Sequence, residues 1–150
     1  MAEFFQFESE FVESLRCIPM QVRLNLDTCG VKLKLVHWSG FNAEQKQALV
    51  DRPCTNLGAI AQYREFVQAL VTEQTGAPAK TLLIEDQPAW LDGAVIPADV
   101  VMKAAGLGLA IAPTQWAGLS SLQRFALIKL SRPSHENRNF LPAMQEFGLA

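Results

Sequence analysis

The densest run of side chains able to do chemistry lies between Arg124 and Pro142, in "RFALIKLSRPSHENRNFLP". Arg132 and Arg138 carry the planar fork that grips a carboxylate or phosphate through two bonds. His135 can exchange a proton near neutral pH. Asn137 and Asn139 offer amides that both donate and accept. His135, Glu136, Asn137, Arg138 and Asn139 are consecutive polar residues, more than helix capping needs. Two readings stand side by side. In one, the block is a binding face for an anion or a partner protein. In the other it is architecture. Lys129 and Arg132 then face the negative end of a helix, and Glu136 suits the first turn of the next. A buried Arg–Glu pair and inter-helix hydrogen bonds complete that reading. Gln123 and Arg124 are expected to point outward or between helices.

Catalytic patterns are missing elsewhere. The chain has no HExxH and no Cys-x-x-Cys, and His37 and His135 are its two histidines. A metal site joining both to Cys54 or Glu136 would have no motif behind it. The three cysteines, Cys17, Cys29 and Cys54, are widely spaced and odd in number, so neither a disulfide framework nor a zinc pair is indicated. An iron–sulfur cluster ordinarily needs four. Cys17 lies just ahead of a helix start, a position that can activate a thiol, but cysteine is also among the most buried residue types. Ser131 and Ser134 are neighbours of His135 in sequence alone, with no nucleophile elbow. "AAGLGLA" is a weak look-alike of a phosphate-binding loop, lacking the third glycine and the preceding strand. The sequence therefore predicts no catalytic residue, no metal, no cofactor and no enzyme activity.

A chain of 150 residues that is 49% hydrophobic with a formal charge of −2 suits one domain with its own core. The near-neutral balance points to neither nucleic acid nor a membrane surface. Charge is nevertheless uneven. Residues 3–13 hold four glutamates and no base, whereas 100–135 hold Lys103, Arg124, Lys129 and Arg132 and no acid. The amino end is acidic and aromatic, unlike a signal peptide, and no apolar run is long enough to span a bilayer. A soluble cytoplasmic protein is expected, with its oligomeric state open.

The elements that must position these residues occur twice. A displacement of 78 residues carries Ile18-Pro19 onto Ile96-Pro97, Val22 onto Val100, Gly30 onto Gly108 and Trp38 onto Trp116. It also carries Gly40 onto Gly118, Gln45 onto Gln123 and Ala48-Leu49 onto Ala126-Leu127, so 18–50 matches 96–128 without a gap. An internal duplication is expected, giving an all-α bundle of short helices built from two similar halves. Pro19 and Pro97 suit first helical positions, and Gly30 and Gly108 suit helix ends. Trp38 and Trp116 are structural anchors. Asn42 with Gln45, and Ser120 with Gln123, read as capping boxes preceded by the staple residues Phe41 and Leu119. Ile60, Tyr63, Val67, Leu70 and Val71 predict a helix from Leu57 to Gln74, stopped by Gly76 and Pro78. Phe4, Phe7, Phe11 and Leu15 are expected on one helical face. "VKLKLV" (31–36) is read as a short helix or an extended connector. Ser134 is a candidate cap, and Pro142 is expected to kink the last helix. The halves, about 1–74 and 95–150, are joined by 75–94, the segment expected to be flexible, with Leu82–Ile84 extended and Trp90 tucked over the body.

The segments "FFQFESEFVESLRCIPMQVRLNLDTCGVKL" and "LQRFALIKLSRPSHENRNFLPAMQEFGL", with the tryptophan units between them, resemble the nitrate reductase-associated protein family. The resemblance covers nearly the whole chain as a single domain and is weakest at about 72–95. It implies an accessory protein for assimilatory nitrate reductase, an enzyme holding a molybdenum cofactor and an iron–sulfur cluster. The motif residues it carries over are Arg16, Cys17, Pro19, Arg23, Asp27, Trp38, Trp116, Gln123, Arg124, Lys129, Arg132, His135, Glu136, Asn137, Arg138 and Asn139. The resemblance assigns none of them a mechanism. We expect Arg16, Arg23, Arg124, Lys129, Arg132 and His135 to Asn139 to form a partner- or ligand-binding surface. The resulting reading is a non-catalytic assembly, maturation or stabilisation factor that contacts the reductase. The alternative is a carrier of a phosphorylated pterin cofactor or another anion, and a thiol enzyme using Cys17 is a third class.

Overall fold

Two prolines start the two helical series. Pro19 and Pro97 are the N-caps of α1 (Met20–Cys29) and α5 (Ala98–Gly106), each extended at ψ 154° and 144°. They stand one residue ahead of the first helical position expected for them. Having no side-chain oxygen, Pro19 cannot cap α1. The buried carboxylate of Glu8 does so instead, accepting the Met20 amide at 3.1 Å, and its charge also complements the helix dipole.

The computed structural model describes residues 4–9, 15–133 and 137–150. Between the two prolines come α2 (Leu35–Gly40), α3 (Ala43–Asp51) and α4 (Leu57–Thr75). After α5 come α6 (Pro113–Ala117), α7 (Ser121–Ser131) and α8 (Phe140–Glu146). Short 3-10 turns occur at Gln6–Glu8, Ala89–Leu91 and Asn137–Asn139. The described residues are all-helical apart from one antiparallel bridge, Val31 to Thr81. They divide into two compact units: Phe4 with the described residues of 8–84, and the described residues of 85–150 with Phe5–Phe7.

In the first unit α4 is the longest helix. Asn56 caps it by accepting the Ala59 amide at 2.8 Å, and Gly76 ends it at φ +84°. Tyr63, Val67, Leu70 and Val71 form its buried stripe, at the spacing the sequence shows, and share a core with Val22, Leu26, Trp38 and Leu49. Each fully buried aliphatic side chain there contributes about 2 kcal/mol. Residues 31–34 are extended, and α2 then begins at Leu35, so "VKLKLV" is both of the things its pattern allowed.

In the second unit α7 is central. Leu122, Phe125, Ala126, Leu127, Ile128 and Leu130 are all buried. Val100 and Ala104 of α5 and Phe140, Ala143 and Met144 of α8 are buried in the same unit. The ring of Trp90 meets Phe125 edge-on at 5.1 Å. Phe5 and Phe7 gather with Phe147 at 5.0 and 6.3 Å.

Several features recur at the same displacement. Gly30 and Gly108 are both left-handed, at φ +78° and +74°. Asn42 and Ser120 both accept from the third helical residue, while Gln45 and Gln123 reach back to the cap amides. The Trp38 indole donates to Leu15 O at 2.9 Å, and the Trp116 indole donates to Asp92 O at 3.1 Å.

Other expectations need correction. Pro142 neither kinks nor interrupts α8, because it lies in the first turn, where no intrahelical partner awaits its missing N–H. Leu15 does not continue a helical face with Phe4 and Phe7: its φ is +54°, and Phe5, not Phe4, is the buried ring. Phe11 and the cap candidate Ser134 lie outside the described residues. The join at 75–94 is tied down on both sides. Gln68 bonds both the amide and the carbonyl of Ala79, and Leu82 N donates to Gly30 O at 2.7 Å. Beyond Glu85, Trp90 O and Asp92 O accept from Arg124 and Trp116.

Candidate functional site

The side chain with the most bonds in the opening cluster turns inward. Arg124 sits one turn into α7 and is 8% exposed. Its Nε donates to Trp116 O at 3.1 Å, one terminal nitrogen to Trp90 O at 3.2 Å and the other to Ala117 O at 3.0 Å. A guanidinium suits this role because its donors diverge in one plane while its charge never titrates. Gly93 provides the space: a Cβ there would lie 2.9 Å from the Arg124 terminal nitrogen. Of the two placements expected for Arg124, outward or between helices, the structure shows the second, at the junction of α6 and α7. It ties α7 to three backbone carbonyls and has little surface left for a ligand.

The remaining cations stay nearer to solvent. Lys129 is half-buried, with its Nζ 5.2 Å from the centre of the Phe125 ring. Arg132 is exposed as the C-cap of α7. Arg138 is exposed, and Asn139 is the half-buried N-cap of α8 with no side-chain cap bond. Asn137 opens the 3-10 turn that leads into α8. His135 and Glu136 lie outside the described residues. In the first unit Arg16 is exposed, and Arg23 donates from Nε to Ile18 O at 2.9 Å. Arg132 and Arg138 thus flank the α7–α8 connection as exposed guanidinium groups, whereas Arg16 and Arg23 belong to the other unit.

The thiols divide differently. Cys17 is half-exposed, while Cys29 and Cys54 are buried. Cys29 Sγ lies 3.7 Å from Leu26 O, and Cys54 Sγ lies 3.6 Å from Asn25 O. Burial pushes Cys29 up to about 11 and Cys54 up to about 12 from an ordinary 9.0, and the neighbouring Cys29 adds to the rise at Cys54. Burial also raises the Tyr63 phenol, which donates to Leu49 O at 2.6 Å. These groups are neutral parts of a core and poor nucleophiles. Above pH 9 the unfolded chain loses its thiol protons while the fold retains them. Stability is therefore fully present below pH 9 and drains as pH climbs toward the folded values. Urea unfolding at pH 8, 9.5 and 10.5 should show a decline approaching ~1.4 kcal/mol per pH unit per thiol. A C29A/C54A protein, although weaker at pH 8, should lose most of that slope.

Among the described residues no group of three or more His, Cys, Asp or Glu is placed to hold a metal ion. None of their helices is long and apolar enough to cross a membrane. Sequence reasoning missed the Glu8 cap and the three carbonyls that Arg124 binds. The first joins residues twelve apart, beyond the reach of helical spacing. The second is signalled only by Gly93, which leaves room for a large cation.

No curated protein and no solved structure matches the chain. A family model described as conserved nitrate reductase-associated protein matches residues 4–147. With that match running through both helical units, the chain belongs to the nitrate reductase-associated family.

Proposed function

We propose that this protein is a non-catalytic, cytoplasmic accessory factor that binds assimilatory nitrate reductase and supports its assembly, maturation or stability through protein–protein contact. The family match over residues 4–147 carries the reading, since association with nitrate reductase is what the family's description states. The chemistry of the chain is compatible with it. Two of the three thiols are buried and held protonated. The exposed guanidinium groups of Arg132 and Arg138 suit docking against carboxylates of a partner. His135, Glu136 and Asn137 belong to the same proposed surface by sequence.

The test pairs capture with metal analysis. Purified protein should retain reductase on a column, and R132E/R138E should weaken retention at least ten-fold while keeping its helical content. Cells lacking the protein should hold full-length reductase with reduced activity and reduced iron or molybdenum. Equal retention by the charge-reversed protein would remove the proposed surface. Unchanged activity and metal content would remove the accessory role itself.

The architecture is part of the same proposal: the two units descend from one duplicated helical module, 18–50 and 96–128. The shared left-handed glycines, the paired capping boxes and the matching indole-to-carbonyl bonds support it. So does the equal, complete burial of Trp38 and Trp116, of Val22 and Val100, and of Leu49 and Leu127, all at 0% exposure.

A further inference from the structure

The start of α2 is closed by a side chain that can change its charge. His37 is the third residue of α2, and its Nδ1 accepts the backbone amide of Lys34, the N-cap residue, at 3.1 Å. This is the reciprocal half of a capping box, a role usually filled by Glu or Gln. At the start of α6, Gln115 does the same work: its Oε1 accepts the Ala112 amide at 2.8 Å. The two acceptors differ in one respect. An amide oxygen accepts at any pH, whereas an imidazole nitrogen accepts only while it is unprotonated.

We infer that His37 makes the beginning of α2 a proton-sensitive latch, closed when the imidazole is neutral and released when it is protonated. Protonation places an N–H on Nδ1, directly opposite the N–H of Lys34. It also adds positive charge to the first turn of a helix, where the backbone dipole is already positive. Gln74 of α4 donates to the His37 carbonyl at 3.0 Å and is neutral. The charged groups on the neighbouring elements are Lys32 and Lys34 in the connector, Glu44, Lys46 and Asp51 of α3, and Arg64, Glu65 and Glu73 of α4, with the Lys46 Nζ 5.7 Å from the Trp38 ring centre. Release loosens the turn that presents Leu35 and Val36, which are 57% and 69% exposed. Trp38, with its indole bonded to Leu15 O, holds the rest of α2 in place. The effect is confined to this turn and has no counterpart at α6.

With two histidines in the chain, nuclear magnetic resonance on the intact protein can follow His37 directly. At pH 8 its neutral ring should carry the proton on Nε2. Through the titration of His37, the exchange protection of the Lys34 amide, corrected for intrinsic rates, should fall about five-fold, the equivalent of one neutral hydrogen bond. The Ala112 amide should keep its protection. In H37Q, which installs the group used at α6, Lys34 should stay protected throughout, and H135Q should leave the pH dependence of Lys34 protection unchanged. A neutral ring protonated on Nδ1 would overturn the latch in the parent protein alone, whether or not H37Q folds. So would Lys34 protection that stays constant while His37 titrates, or a loss that persists in H37Q.

Discussion

Replacing Arg124 with methionine should destabilise the second unit by about 3–5 kcal/mol, among the largest effects of any polar substitution in the chain. Methionine fills the space of the aliphatic stem and leaves the acceptors without their donors. Trp116 O, Ala117 O and Trp90 O then lose bonds of 3.1, 3.0 and 3.2 Å to a charged group. Hydrogen bonds to charged groups are individually worth ~1.5–3 kcal/mol, and water entering a partly exposed site recovers some of that. Lysine should rescue little, because one ammonium cannot reach three carbonyls in diverging directions. Gly93→Ala should act in the same direction by pressing on the guanidinium, with a smaller loss. Urea unfolding followed by tryptophan fluorescence measures all three. An R124M protein within 1 kcal/mol of its parent, on the order of an ordinary surface change, would show that the guanidinium is not the tie described above.

The two buried tryptophans should be costly in equal measure. Trp38→Ala and Trp116→Ala each remove a side chain that is 0% exposed and leave a large cavity, for a loss of about 3–5 kcal/mol. Phenylalanine should recover much of this apolar contact and none of the indole bond to Leu15 O or Asp92 O. Hydrogen exchange locates the damage. W38A should expose amides of α1–α4, and W116A those of α5–α8. Comparable losses would agree with a common origin for the two units. A tryptophan that can be removed from one unit at no cost would count against it.

What could be read in advance depended on the range of the interaction. The caps at Asn42 and Ser120, the stripe along α4 and its stop at Gly76 involve partners a few residues apart, so the spacing in the chain carries them. The left-handed turn at Gly30 was legible for the same reason. Arg124 was not, because the identity of a long-range acceptor leaves no mark beside it. Polarity left it outward or between helices, and the three carbonyls that decide for the second come from α6, its C-terminal end and the 3-10 turn before α5. Pro142 was misjudged by position. A proline in a first turn and one in a helix interior look alike until the boundary of α8 is known. The candidate surface was the least legible part. Its exposed members, Arg132 and Arg138, are distinguished from other surface arginines by the family pattern and not by any local periodicity.

The bonds of Arg124 also set an order of assembly. Those to Trp116 and Ala117 span eight and seven residues, whereas the one to Trp90 spans thirty-four. Closing a longer loop costs more chain entropy before any contact rewards it. The corner between α6 and α7 can therefore form early around the guanidinium. The turn at Ala89–Leu91 docks onto it later, completing the coordination of a charge already in place. By the same reasoning that turn opens before the corner beneath it.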